Sequence, residues 1–135
     1  MSTPSLQFLF LISLAGGLGA AARYVLDTII TAVLARREAH GQFPWGMWLV
    51  NGTGSFAIGV VAGIAVHQAV PPAVLEVTMV GFLGGYTTFS AASYDTVRLL
   101  REGRYVAGLV NGVGMLILGV VLCLLGLGLA QHVLS

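Results

Sequence analysis

The sequence predicts an all-α integral membrane protein: one domain, residues 1–135, with four transmembrane helices. Composition is the first reason, since 57% of the residues are hydrophobic, 8% are charged and the mean hydropathy is +0.94, values far from those of soluble domains. The second reason is that four runs without charged residues each approach or exceed the roughly 20 residues that a membrane-crossing helix needs. These runs are 6–22, 45–68, 77–94 and 105–131.

The four helices are predicted at 6–34, 45–67, 72–98 and 105–131. The first continues past Arg23, because apolar sequence resumes there as YVLDTIITAVLA. No Lys or Arg precedes Leu6, which argues against a cleaved signal peptide. Prolines come just before or at the predicted starts of the second and third helices, where a first turn tolerates them. The connecting loops are short, so we expect one compact bundle.

The third predicted helix contains the stretch GFLGGYTTFSAASYD. Two glycines followed by two β-branched threonines are unfavourable inside a helix, so we predict a break at residues 84–88 that frees backbone carbonyl oxygens. At membrane depth such groups need protein, ion or water as partners. Freed carbonyls suit a cation. The hydroxyls of Ser90 and Ser93 and the electropositive ring edge of Phe89 suit an anion.

Two asparagines lie inside predicted membrane helices, Asn51 in VNGTG and Asn111 in VNGVG. An amide buried without a partner costs about 1–3 kcal/mol, so each side chain either bonds a neighbouring helix or faces water. Both interpretations stay open for each residue alone. Together with the predicted break, the two amides favour a polar pathway through the bundle.

The sequence offers no catalytic motif, and we predict that the protein is not an enzyme. It contains no glycine-rich phosphate loop, no HExxH and no GxSxG. The single cysteine, Cys123, excludes an intrachain disulfide and a cysteine-based zinc cluster.

The stretch GFLGGYTTFS, with VNGTG upstream, GAAARY in the first helix and GRY before the fourth, resembles the small fluoride channels of the Fluc or CrcB family. The similarity covers nearly the whole chain. It implies a fluoride-specific channel of the cell membrane, the inner membrane where there are two, that lets fluoride leave the cell passively. It also implies an antiparallel, dual-topology-type dimer in membrane lipid with a structural sodium ion that is not transported. No nucleic-acid partner is expected.

The resemblance also implies roles for individual residues. Gly84 and Thr87 match the positions whose backbone carbonyls bind the sodium ion, and Arg23 matches an arginine near the vestibule. The spacing from Arg23 to Asp27 also allows an i,i+4 ion pair. The predicted fluoride pathway, to which the residue argument adds the second asparagine, comprises Asn51, Thr88, Phe89, Ser90 and Asn111.

The chain departs from the family pattern in one place. Where the usual motif reads TTFSTFS, this sequence reads TTFSAAS, so Ala92 replaces the second phenylalanine of the pathway. The arginines other than Arg23 all fall in or beside two loops on the same side, which predicts one fixed orientation. These residues are Arg36, Arg37, Arg98, Arg101 and Arg104. An antiparallel homodimer needs both orientations, so the partner is either a second copy or, as we favour, a related second subunit.

A small multidrug-type cation exporter with four helices is the alternative. Such a carrier needs an unpaired acidic residue at membrane depth. Asp27 is the candidate, and Arg23 is expected to neutralise it.

Overall fold

The computed structural model describes residues 5–35, 43–67 and 70–134, which form four helical segments without a β-strand. The first two segments are the continuous helices α1 (Leu6–Ala35) and α2 (Trp45–Val66). The third consists of α3, residues 72–86, and α4 (Phe89–Arg101). The fourth is α5 (Tyr105–Leu134). The all-helical prediction is confirmed for these residues, whereas Arg36 and Arg37 lie outside them.

Among the described residues, three helices are long and apolar enough to cross a membrane: 29 residues of α1, 22 of α2 and 30 of α5. In the third segment no single described helix reaches that length, because α3 and α4 are separate. Short π-helical stretches widen α3 at Val77–Leu83 and α5 at Val110–Gly114. The apolar spans agree with the multi-pass membrane class that composition predicts.

Two extended residues separate α3 from α4. Thr87 has φ −82° and ψ 156°, and Thr88 has φ −151° and ψ 124°. Gly84 is helical, with φ −63° and ψ −36°. The prediction of non-helical backbone from residue 84 onward is therefore wrong for residues 84–86. A glycine costs a helix only about 1 kcal/mol, and at Gly85 close contact with a neighbouring helix accounts for its presence.

Helices α1 and α3 touch backbone to backbone. A Cβ added at Gly85 would overlap the carbonyl oxygen of Gly16, and one added at Gly19 would overlap the carbonyl oxygen of Phe82. Lipid removes the hydrophobic drive between membrane helices, so their association depends on such close packing.

Substitution of Gly85 by alanine should therefore separate α1 from α3. We expect Gly85→Ala to lower stability by about 1–3 kcal/mol, the usual effect of overpacking, seen as a lower melting temperature in detergent by fluorescence-detected size-exclusion chromatography. Gly17→Ala is the matched control, because a Cβ at Gly17 meets nothing within 4 Å. Equal melting temperatures for the two variants would contradict the packing argument.

Helices α2 and α5 are joined in the same way. A Cβ at Gly59 would overlap the carbonyl oxygen of Cys123, and one at Gly126 would overlap that of Phe56. The turn from α4 to α5 is made by Gly103, whose φ of 74° is the left-handed conformation that glycine adopts without strain. These contacts place α4 beside α2 and α5 and leave a groove among the three helices.

Candidate functional site

The groove among α2, α4 and α5 has a volume of about 750 Å³ and is open along one side. Most of its wall is apolar. Its polar side chains come from α2, from α4 and from the extended residues between α3 and α4, and they are Asn51, Ser55, Thr87, Thr88, Ser93 and Thr96. Four of the predicted site residues therefore meet here, since Phe89 also lines the groove beside Asn51, Thr87 and Thr88. Ser93, whose hydroxyl the sequence also singled out, lines it as well.

Asn51 holds the extended segment by both ends of its amide. Its Oδ1 accepts the N–H of Thr88 at 2.9 Å, and its Nδ2 donates to the carbonyl oxygen of Thr88 at 3.1 Å. A second Nδ2 contact reaches Met115 Sδ at 3.2 Å. The amide thus replaces the peptide group that a regular helix would supply to residue 88. Asn51 therefore bonds a neighbouring segment, which is the first interpretation left open by the sequence, and it also lines the groove.

The helix ending at Tyr86 leaves carbonyl oxygens without donors. The Leu83 oxygen accepts two bonds, from the N–H and from the hydroxyl of Thr87, each at 2.9 Å. The carbonyl oxygens of Gly84, Tyr86 and Thr87 accept no hydrogen bond from any residue that the structure describes. Two of these three oxygens belong to the pair predicted for sodium.

Phe89 begins α4 at the edge of the groove, with 88% of its surface exposed. Ser90, next to it, is also exposed, and its Oγ lies 3.1 Å from the hydroxyl oxygen of Thr88. The same Thr88 hydroxyl accepts the N–H of Ala91 at 3.3 Å and so caps α4. Ala92 lines the groove one turn later and presents a methyl group at the position where the family resemblance predicts a phenylalanine.

Asn111 has no exposed surface and does not line the groove. Its Oδ1 accepts the indole N–H of Trp48 at 2.9 Å. Its Nδ2 donates to the carbonyl oxygen of Ala92 at 3.1 Å and to the hydroxyl oxygen of Thr96 at 2.9 Å. The amide is therefore used in joining α2, α4 and α5. The structure favours the interhelical interpretation for Asn111 rather than the predicted place in a pathway.

Arg23 is half-buried, and its Nε donates to the carbonyl oxygen of Gly85 at 3.4 Å. The i,i+4 ion pair with Asp27 is not among the ion pairs of the described residues, so that prediction is wrong. The reason is that the side chain turns toward α3, whose last carbonyls lack helical donors. Asp27 instead contacts α2 at Gly46.

Sequence reasoning missed three residues of the site. Met115 and Trp48 each contact one of the two asparagines, and Ser55 lies in the groove one turn after Asn51. The spacing between Asn51 and Ser55 was the available signal, because residues four apart share a helix face. The contacts of Met115 and Trp48 join distant parts of the chain and had no local signal.

Comparison with known proteins places the whole site within a region of similarity. The chain matches the family model described as CrcB-like protein, Camphor Resistance (CrcB), over residues 10–127. It is similar to the Fluoride-specific ion channel FluC 1 of Leifsonia xyli, with 45% identity over 118 residues, 87% of this chain and 82% of the relative. It is also similar to the Fluoride-specific ion channel FluC of Nitratidesulfovibrio vulgaris, with 37% identity over 129 residues, 95% of this chain and 100% of the relative. A third relative, FluC of Thermus thermophilus, is 37% identical over 116 residues, 86% of this chain and 89% of its own.

Proposed function

Because this chain belongs to the CrcB family, we propose that it forms a fluoride-specific ion channel that lets fluoride leave the cell passively and so lowers cytoplasmic fluoride. The observation that carries the proposal is that the match at residues 10–127 includes the groove and the extended residues beside it. Relatives matched over 87% and 95% of this chain are named fluoride-specific ion channels. The family is one of channels rather than enzymes, and the multidrug-exporter alternative has no support.

The groove has donors that could replace water around a small anion. Fluoride is small and strongly hydrated, so a pore must offer hydrogen bonds and still let the ion leave. Thr88 and Phe89 line the groove and offer a hydroxyl and an electropositive ring edge. The Ser90 hydroxyl lies 3.1 Å from that of Thr88. Asn51 has one donor held by the Thr88 carbonyl and one on Met115 Sδ. A thioether is a weak acceptor, so a passing ion could replace Met115 Sδ as the acceptor of the second N–H while the first stays on the Thr88 carbonyl oxygen.

A partner subunit would close the groove, and we propose the antiparallel dimer that the sequence resemblance implies. Polar groups in an open groove are unfavourable against lipid, and an exposed Phe89 ring at its edge fits a second protein surface. The partner is a second copy or a related subunit. Ala92 and the fixed orientation predicted from the arginines favour the related subunit.

A structural sodium ion fits the carbonyl oxygens of Gly84 and Thr87. Both lack donors in the described part of the chain, and Na⁺, like other hard cations, binds oxygen ligands. Gly84 is exposed, and a Cβ there would approach only the Met79 carbonyl oxygen, at 3.6 Å. In an antiparallel dimer such a surface can face the same carbonyls of the partner. The ion would supply positive charge near the anion path.

Arg23 is proposed to lie near the vestibule. Within the described residues its guanidinium makes one hydrogen bond, to the Gly85 carbonyl oxygen, and the residue is half-buried. A cation near a pore entrance raises the local concentration of anions.

Ion efflux from liposomes tests the proposed function. The chain, purified alone and together with a related subunit, is reconstituted in vesicles loaded with fluoride, chloride or a quaternary ammonium ion. We expect fluoride efflux from at least one preparation and no efflux of the other two ions. Equal chloride efflux, or release of the ammonium ion, would contradict a fluoride-specific channel.

A further inference from the structure

Of the serine and threonine hydroxyls in the described residues, two make no hydrogen bond: that of Ser55 and that of Thr31, which is exposed near the C-terminal end of α1. Seven others donate to the carbonyl four residues earlier, as Ser13 does to Leu9 at 2.8 Å. The remaining three, Ser5, Thr88 and Ser90, bond other partners. Ser55 Oγ is also not among the buried unpartnered atoms, so it opens into the groove that it lines.

Ser55 lies at the midpoint of α2, ten residues after Trp45 and eleven before Val66. At a rise of 1.5 Å per residue it is about 15 Å from either end, near the middle of the hydrocarbon layer. A hydroxyl in a membrane helix ordinarily bonds its own backbone, because water is absent at that depth. An unused donor at this level indicates that something polar reaches it.

The space around the hydroxyl is kept by a glycine on the facing helix. A Cβ added at Gly119 would lie 3.2 Å from Ser55 Oγ. The neighbouring groove wall on α5 is apolar, formed by Leu116, Val120 and Leu124. Ser55 is therefore a single strong donor in an apolar stretch. It lies one helical turn, about 6 Å, beyond Asn51.

We infer that the Ser55 hydroxyl donates a hydrogen bond to the permeating fluoride ion midway across the membrane, and that it is a specificity-determining contact of the pathway. The inference rests on the proposed fluoride conduction. An anion that has lost its water at the bilayer centre gains most from a donor there. A second binding position one turn from the first also lets the ion advance in short steps, as conduction requires.

Three variants test this contact in the assembly that conducts. Ser55→Ala removes only the hydroxyl and should lower fluoride efflux about tenfold or more, because a hydrogen bond to an ion is worth at least one such factor. Ser55→Thr keeps the hydroxyl and should stay within about threefold of the original rate. Ser13→Ala is the matched control and should leave efflux unchanged, since that hydroxyl is bonded within α1. Efflux is measured with a fluoride electrode, and assembly by size-exclusion chromatography.

If Ser55→Ala retains full efflux in an assembly that conducts, the proposed contact between Ser55 and fluoride is wrong, whereas the proposed channel function is unaffected. Loss of assembly in Ser55→Ala would also overturn it, because the hydroxyl would then be structural. Absence of efflux from the unsubstituted protein, with and without a partner, would overturn the proposed function and this contact together.

Discussion

Fluoride efflux should be negligible when this chain is reconstituted alone and should appear when it is co-expressed with a relative of opposite arginine bias. Five arginines in or beside two loops favour one orientation, and each is worth about 1 kcal/mol near an anionic leaflet. An antiparallel homodimer would therefore be rare. It would also have a methyl group at Ala92 in both pathways, where a ring is expected. We expect the fluoride efflux rates of the chain alone and of the co-expressed pair to differ by at least about a hundredfold, which corresponds to about 2.7 kcal/mol.

The measurement is electrode-recorded efflux from vesicles with equal amounts of protein. Accessibility labelling of a cysteine added at either terminus reports orientation in the same preparation. A partner carrying the same arginine bias is the control and should not restore efflux. Robust efflux by the single protein, with its termini labelled on both sides of the membrane, would falsify the heterodimer.

Asn51→Asp should nearly abolish efflux from the conducting assembly. One carboxylate oxygen can still accept the Thr88 N–H, but the other faces the Thr88 carbonyl oxygen and the Met115 sulfur, neither of which donates. Each buried polar group left without its partner costs about 1–3 kcal/mol. The new charge also repels an anion in a medium of low dielectric. We expect a loss of about a hundredfold or more.

Asn51→Gln tests geometry rather than charge and should also lose most activity, because its longer side chain cannot make both Thr88 bonds from the same place. Thr28→Val is a control on α1, where the hydroxyl bonds only its own helix. Size-exclusion profiles separate loss of assembly from loss of conduction. Unchanged efflux in Asn51→Asp would show that the amide holds helices together and takes no part in the pathway.

The sequence predicted the helical membrane class and the family, and both are confirmed. Composition and run length decide the class, and GFLGGYTTFS with VNGTG carries the family. The pentapeptides around Asn51 and Asn111 differ at one residue, yet one amide lines a groove and the other is sealed between helices. Their partners lie 15 to 64 residues away, so no local pattern could separate them.

The position of the interruption in the third segment shows a second limit. Propensity placed it at residues 84–88, but Gly84 is helical and the extended residues are Thr87 and Thr88. Gly85 serves the contact with Gly16, and an amide on another helix holds Thr88. Tertiary contacts therefore decide that the threonines, and not the glycines, form the interruption.

The glycine contacts between α1 and α3 and between α2 and α5 bear on the kind of transport that this protein can perform. A carrier that alternates its access needs at least one interface between helices that slides or rocks during each cycle. Here Gly16 meets Gly85, and Gly59 meets Cys123, through main-chain atoms that have no rotamers with which to adapt. Displacement by a fraction of a turn would bring a neighbouring side chain against the opposing backbone. Both helix pairs are therefore suited to remain fixed while an ion passes, which is the condition for downhill flow without a conformational cycle.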